Sequence, residues 1–452
     1  MFIALILKLF FNSLTQTRKT SQNFPRGPYP LPIVGNLFLF RKSFNDLHHI
    51  LQSLHAKLGP IITLHFGSRP AIFIADRFLS HQALVQNGAI FADRPPPLDG
   101  REQVVITTAV YGPTWRVLGR NLTAEMLHSS RVKSYSYARK VVLERLLKLL
   151  KDQSDSADRW VEVTDQFRNS MFSLLAFIGM MRTFGEVSMV SVLPRVTMII
   201  FYKQWKKIFQ LQEKLRRLIV PLILDRKKLK QEKSNEGENQ DDNKHGISFY
   251  VDTLLDVKLP EENRSLDVEE ILGLCSEFLN GGTDNTSALL QWIMANLVKN
   301  PHIQQKLFME IKGVIGNEEK MVKEDDLHEM PYLKAVILEG LRRHPPLRFL
   351  LHHAVTEDVV LDGYFMPRNG TMNFMIGDMG MDPKVWEDPM SFKPERFVMS
   401  AEDGEGFDIT GSKEIKMMPF GARRRICPTS SRREFSVQMK HPLQALISAR
   451  FL

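Results

Sequence analysis

Met418-Pro-Phe-Gly-Ala-Arg-Arg-Arg-Ile-Cys-Pro428 is the stretch on which the reading of this chain turns. It carries Cys427, one of two cysteines among 452 residues. Phe420 stands seven residues before the cysteine and Arg425 two before it, with glycine and proline flanking the run. A thiolate stays ionised where positive charge and backbone N–H groups surround it. A loop after Pro419 containing three arginines offers both. Such a thiolate can ligate a haem iron and push electron density onto it, which favours O–O cleavage. A basic loop with an inert buried cysteine fits the same residues, so the rest of the chain has to decide.

Composition narrows the classes. Hydrophobic residues make up 43% and charged residues 25%, as in an ordinary globular protein. Two cysteines do not make a disulfide framework. Cys275 lies in an apolar run and is expected to be simply buried. The net charge of +9 suits an anionic membrane surface or an acidic protein partner. The basic residues are scattered and no nucleic-acid motif is present, so no nucleic-acid partner is expected.

The N-terminus divides from the body. Met1 to Phe11 is apolar except for Lys8, and is shorter than the roughly 20 residues needed to span a bilayer. Residues 1–20 therefore read as a short anchor remnant, an interfacial helix or a signal-peptide core. Residues 21–35 contain Phe24-Pro-Arg-Gly-Pro-Tyr-Pro-Leu-Pro32, a stiff extended hinge. Residues 36–452 form the main domain, with residues 429–452 an atypical tail.

Periodicity then gives the elements. Phe44 to Lys57 reads as a helix, and Ile61 to Phe66 with Ala71 to Ile74 as a hairpin turning at Gly67-Ser-Arg-Pro70. A short helix follows from Phe78 to Asn87-Gly88. Pro95-Pro96-Pro97 opens an irregular loop to about Pro113. Trp115 begins a helical run to Leu127, and Val132 to Lys151, Val161 to Met181 and Val196 to Lys230 are further helices. Pro221 is expected to kink or divide the last of these. Ser265 to Lys299 is the longest strong helix. Its Gly281-Gly282 pair implies either a break or close approach of a ligand to the backbone. Pro331 to Arg343 is a helix whose Glu339 and Arg342, at i and i+3, can pair. Val359 to Leu361, Tyr364 to Met366 and Thr371 to Met375 read as short strands.

Four features occur in order: a glycine-acid-threonine run in a long helix, Glu339-x-x-Arg342, Pro394-Glu-Arg-Phe397 and the Cys427 loop. Together they resemble the cytochrome P-450 superfamily of haem-thiolate monooxygenases. The proline hinge, Trp115 and the Ala354–Phe397 region are most similar to plant microsomal members. The resemblance covers roughly Phe24 to Pro428. It implies a mainly α fold with a small β-rich part. It implies haem b ligated by Cys427, with Phe420 in the same loop, and Trp115, Arg120 and Arg425 as cofactor-binding residues. Glu339, Arg342 and Arg396 would form a buried ion network beneath the haem, and Asp284, Asn285 and Thr286 would stand where oxygen and protons are handled. The reaction implied inserts one oxygen atom from O2 into a hydrophobic small molecule. NADPH would supply electrons through a separate NADPH-cytochrome reductase, on the cytosolic face of the endoplasmic reticulum membrane.

Several residues depart from the family pattern. Asn285 replaces the usual alcohol, and an amide is not a hydroxyl proton relay. Arg423 and Thr429 replace glycines, and Gly119 stands where a propionate-binding arginine is usual, next to Arg120. The polar Thr429-Ser-Ser-Arg-Arg-Glu434 tail and the short Phe172–Pro194 region suggest a degraded gene copy or a faulty gene model. Two alternatives follow: a non-catalytic remnant with impaired haem binding, or a haem-thiolate isomerase or dehydratase needing no O2. The substrate pocket is expected from the Pro95–Val110 loop, the Phe278–Asp284 face and Leu347–Leu351, including Phe349, all mainly apolar.

Overall fold

The computed structural model describes residues 23–31, 34–36, 39, 47–67, 69–96, 104–155, 160–179, 202–235, 249–316, 322–398, 407–422 and 443–446. The apolar N-terminal run, Arg423, Arg425, Cys427 and the Thr429–Glu434 tail lie outside the described residues.

The elements run α1 (Leu47–Leu58), β1 (Ile61–Phe66), β2 (Arg69–Ile74), α2 (Arg77–His81), α3 (Pro113–Asn121), α4 (Ser129–Ser134), α5 (Ser136–Ser154), β3 (Trp160–Glu162) and α6 (Val163–Gly179). They continue with α7 (Tyr202–Asn235), α8 (Tyr250–Leu254), β4 (Lys258–Leu259), β5 (Arg264–Ser265), α9 (Val268–Lys299), α10 (Pro301–Ile315) and α11 (Pro331–Arg343). The described residues end with β6 (His353–Ala354), β7 (Val359–Leu361), β8 (Tyr364–Met366), β9 (Thr371–Phe374), α12 (Ile376–Met379) and β10 (Gln444–Leu446). The result is mainly α, with, among the described residues, one four-stranded sheet in the order β1-β2-β9-β6 and three two-stranded pieces. β2 pairs antiparallel with β1 and parallel with β9, Ala71 opposite Thr371. The hinge does not stand free. Arg26 accepts from the Thr63 amide at 3.0 Å, Asn23 from the Phe365 amide at 2.9 Å, and Phe24 meets Phe365 edge-on. Its extended backbone therefore lines the sheet.

α9 is the axis of the helical part. Asp267 caps it by accepting from the Glu270 amide, and the Glu270 side chain accepts in return from the Asp267 amide, a capping box. The helix runs unbroken through Gly281-Gly282. A Cβ on Gly282 would sit 2.5 Å from Leu175 Cδ1 of α6. At Gly282 the missing side chain thus serves close helix packing, not a break. α7 also continues through Pro221, and beyond Asn121 the helix of Trp115 widens into a π turn over Leu122–Leu127.

Two apolar clusters dominate. One surrounds α9, where Leu274, Cys275, Phe278 and Leu279 meet Leu118 and Tyr250. The other lies under the sheet, where Ile72, Phe91, Leu347 and Leu350 meet Met418 and Ala422 at the start of the cysteine loop. Phe349 belongs to neither. It packs edge-on against Phe73 and His48 beneath α1, in a third cluster with Leu51 and Ile62. The Leu347–Leu351 segment is not a regular strand: Leu347 and Leu350 join the cluster under the sheet, and the Phe349 ring between them packs into the third.

Beside Phe349 lies an acid that folding keeps protonated to higher pH. Asp378 is raised from 3.8 to about 6 by burial, against the pull of its bond from Gln52 and the charge of Arg348. Its neighbour His48, 3.5 Å away, is held down to about 4 by burial and by the charges of Arg348 and His49. Between 3.8 and about 6 the folded chain keeps the Asp378 proton that the unfolded chain releases. That contribution to stability is full below 3.8 and lost as pH rises through about 6. The rise corresponds to roughly 3 kcal/mol, discounted because the side chain is 18% exposed. Asp378→Asn should therefore unfold at higher denaturant than the parent at pH 7.5, by about 2 kcal/mol, with the gap closing near pH 4. A constant gap across that range would remove Asp378 as its source.

Candidate functional site

α11 carries the first part of the site. Pro331 opens it, and Glu310 of α10 accepts from the Tyr332 and Leu333 amides at 2.7 and 2.8 Å, satisfying donors that a helix start leaves orphaned. Two turns on, Glu339 and Arg342 are both 0% exposed. Arg342 donates to Glu339 through Nε and Nη2, each at 2.7 Å. Its remaining donors reach the carbonyls of Gly380, Pro389 and Ser391 at 2.6–3.2 Å. Glu339 also accepts from the Lys393 amide at 2.9 Å, and Arg396 stands 3.6 Å away. The three predicted network residues therefore converge. Two chain segments, residues 380–391 and the Pro394–Phe397 turn, are fastened to one helix by charge-assisted bonds.

Glu395, missed by sequence reading, completes this junction. It accepts from Tyr332 Oη and Lys306 Nζ, each at 2.9 Å, while Arg396 faces Glu339. The acid and base of Pro-Glu-Arg-Phe thus grip different helices. His344, at the end of α11, stacks on Trp292 with centroids 4.2 Å apart. Burial, then Arg343, Arg342 and Arg348, push it down to about 3. It stays neutral, which avoids adding a further charge to this cationic corner.

The described start of the cysteine loop is a turn. Gly421 donates to the Met418 carbonyl at 3.0 Å, with Pro419 at the second position and Gly421 at φ 84°. That positive φ is one a glycine adopts freely. Met418 and Ala422 are buried, and Phe420 is half-buried. Cys427 and Arg425 lie beyond the described residues. The other cysteine is the wrong chemistry for ligation. Cys275 is fully buried in α9, and burial pushes its thiol up to about 12.

On α9, Asp284, Asn285 and Thr286 are consecutive and so point about 100° apart. Asp284 is buried and pairs with Arg168 of α6, Nε to Oδ1 at 3.3 Å. Arg168 also stands 3.6 Å from Asp165. Nothing in the sequence pattern singles out Arg168, because the contact joins two helices far apart in the chain. Asn285 and Thr286 are half-buried. Ser287, one step on, donates to the Thr283 carbonyl at 2.6 Å. The Thr283 hydroxyl is buried without a hydrogen-bond partner.

The cofactor-binding residues expected on α3 separate. The Trp115 N–H donates to the Ile106 carbonyl at 3.2 Å, and its ring lies 5.3 Å from Tyr111. Arg120 is exposed on the helix surface. Val105 and Ile106 pack with Phe278 and Leu279 of α9, so this much of the expected apolar pocket wall is assembled.

Among the described residues no helix is long and apolar enough to cross a membrane. The family model for cytochrome P450 matches residues 25–429. The chain is 42% identical over 461 residues to cytochrome P450 89A9 of Arabidopsis thaliana, which covers 94% of this chain and 86% of that protein. It is 29% identical to costunolide synthase of Cichorium intybus, covering 91% of this chain and 83% of the relative. It is also 29% identical to isoflavone 2'-hydroxylase of Medicago truncatula, covering 93% and 85%.

Proposed function

Because this chain belongs to the cytochrome P450 family, we propose that it is a monooxygenase that inserts one oxygen atom from O2 into a hydrophobic small molecule, taking electrons from NADPH through a separate reductase. The family's cofactor is haem b held by a cysteine thiolate. The observation that carries the assignment of Cys427 as that ligand is the state of its only rival: Cys275 is sealed inside α9 with a thiol near 12. The donor set at Cys427 fits the group, since Arg423 to Arg425 precede it in sequence and Ala422, just before them, belongs to an apolar cluster. Bound there, haem would supply activation of O2, helped by electron density from the sulfur.

The chain's own residues do the rest. Glu339, Arg342 and Arg396 hold residues 380–397 to α11, and Phe420 and Arg425 would flank the cofactor. Trp115 ties the residue 104–112 loop to α3. Asp284 is the acid of the distal helix, kept by Arg168 in a defined position. Val105, Ile106 and Phe278 offer an apolar wall with few polar groups, which supports a hydrophobic substrate over a charged one. The likeness to plant P450 relatives supports attachment at the cytosolic face of the endoplasmic reticulum membrane.

Reconstituted with haem, the reduced and carbon-monoxide-treated protein should show the Soret shift of a thiolate-bound haem, and Cys427→Ser should abolish it. A parent that folds, takes up haem and lacks the shift would sink the ligand assignment. NADPH- and reductase-dependent turnover of any apolar compound would exclude a non-catalytic remnant. Asn285 favours a second reading, a haem-thiolate isomerase or dehydratase, because the carboxylate beside it is engaged by Arg168 and the usual hydroxyl relay is an amide. Product formed from a fatty-acid hydroperoxide without NADPH would favour that reading.

A further inference from the structure

We propose that Glu277 and Arg94 are a positioning pair that clasps the residue 104–112 loop over the apolar site and thereby selects ligands by bulk. The proposal rests on the reading above that this loop lines the substrate site.

The clasp is built around one short piece of backbone. The Ile106 and Thr107 amides donate to the two oxygens of Glu277 at 2.9 and 2.7 Å. The Thr107 carbonyl accepts from Arg94 Nε at 2.8 Å. A carboxylate thus holds the N–H side of the loop and a guanidinium its C=O side. Each member is anchored elsewhere. Glu277 is fixed on α9 immediately before Phe278. Arg94, 7% exposed, donates through Nη1 to the carbonyls of Leu351 and His352 at 3.0 and 2.8 Å. The loop is therefore a bridge between the long helix and the strand edge at β6.

Its ends are tied as well. Asp93 accepts through its carbonyl from the Ala354 amide at 2.8 Å and through Oδ1 from the Tyr111 amide at 3.0 Å. Trp115 holds the Ile106 carbonyl. Between these ties Val105 and Ile106 face Phe278 and Leu279, and Val105 Cγ1 would lie 3.0 Å from a Cβ on Gly273. Within the loop the Thr108 and Ala109 amides donate to the Val105 carbonyl at 3.3 and 2.9 Å, closing a turn. The loop's distance from α9 is set by Glu277, and its distance from β6 by Arg94.

Charge is an expensive way to fasten a loop that only has to be stable. Burying a carboxylate and a guanidinium costs several kcal/mol each before their bonds repay it, and apolar packing of the same volume is often as stable. Glu277 shows that cost: burial pushes its carboxyl up, opposed by the Thr107 hydroxyl and amide, the Ile106 amide and the charge of Arg94. What such a clasp adds is geometry. Two adjacent N–H donors and one carbonyl admit a single loop position, so a bulky ligand must break all three bonds together. A slim apolar chain need break none.

The test uses the haem-loaded full chain and two probes, dodecanoic acid as the slim ligand and progesterone as the bulky one. Affinities come from the Soret shift each induces. Glu277→Gln places an amide N–H against backbone donors, and Arg94→Lys keeps the charge but cannot reach three carbonyls. Each should speed hydrogen exchange of the Ile106 and Thr107 amides. Each should also raise the progesterone-to-dodecanoate affinity ratio by about tenfold, corresponding to ~1.4 kcal/mol. Faster exchange with an unchanged ratio would make the pair structural only and overturn the proposal. Unchanged exchange in both variants would overturn it too. If the parent binds neither probe, the substrate reading fails together with the proposal. Should Glu277→Gln not fold, Arg94→Lys carries the same two readouts.

Discussion

Glu339→Gln should destabilise the protein by about 3–5 kcal/mol, measured as the free energy of urea unfolding, and Arg342→Met by a similar amount. Both side chains are 0% exposed, so neither survivor can be solvated when its partner is neutralised. In Glu339→Gln the guanidinium of Arg342 keeps three carbonyls but loses its counter-charge. In Arg342→Met the carboxylate keeps the Lys393 amide, with Arg396 at 3.6 Å as the remaining cation. The Gly380, Pro389 and Ser391 carbonyls lose their donor at the same time. The double variant should cost well under the sum of the singles, because the second change removes a charge that the first had stranded. Arg396→Gln should cost least, since its bond to the Asp388 carbonyl is exposed and its approach to Glu339 is longer. Equal losses for all three, or additive losses for the pair, would mean that packing and not charge holds this junction.

How far the sequence foretold this junction shows what sequence carries. The i, i+3 spacing put Glu339 and Arg342 on one helix face, and the prolines at 331 and 345 marked where that helix starts and stops. The hairpin and the short strands near residues 359–374 were legible for the same reason: turn residues at fixed offsets. Resemblance to a family, not local pattern, added Arg396 to the pair. Other features were not legible because they are pairings across the chain. Arg168 meets Asp284, and Glu277 meets amides 171 and 170 positions away, with no local periodicity to announce either. Gly281-Gly282 looked like a break or a ligand contact, and Gly282 proved to answer Leu175 of a separate helix. Phe349 looked like pocket because its neighbours are apolar, but the chain bends there and the ring packs against His48 and Phe73, apart from Leu347 and Leu350. Composition identifies what can be buried. It does not say which of two cores receives it.

Gly380→Ala should cost about 3 kcal/mol or more, although the position has an ordinary helical backbone and alanine is normally the better residue there. The reason is contact and not conformation. A Cβ on Gly380 would fall on the backbone carbonyl of Arg342, closer than carbon and oxygen can approach, and both groups belong to rigid parts of the fold. Relief requires the chain after α12 to move away from α11. That movement lengthens the 2.6 Å bond from Arg342 to the Gly380 carbonyl, and it drags the Pro389 and Ser391 acceptors with it. It also lifts Trp386, whose ring lies 5.3 Å from the Arg342 guanidinium. A single methyl group therefore adds overpacking to a partly stranded buried charge. The two costs can be separated. In an Arg342→Met background Gly380→Ala should lose only the overpacking part, about 1–3 kcal/mol. If the alanine costs as much with Arg342 replaced as with it present, Gly380 acts through packing alone and the coupling to the ion network is wrong.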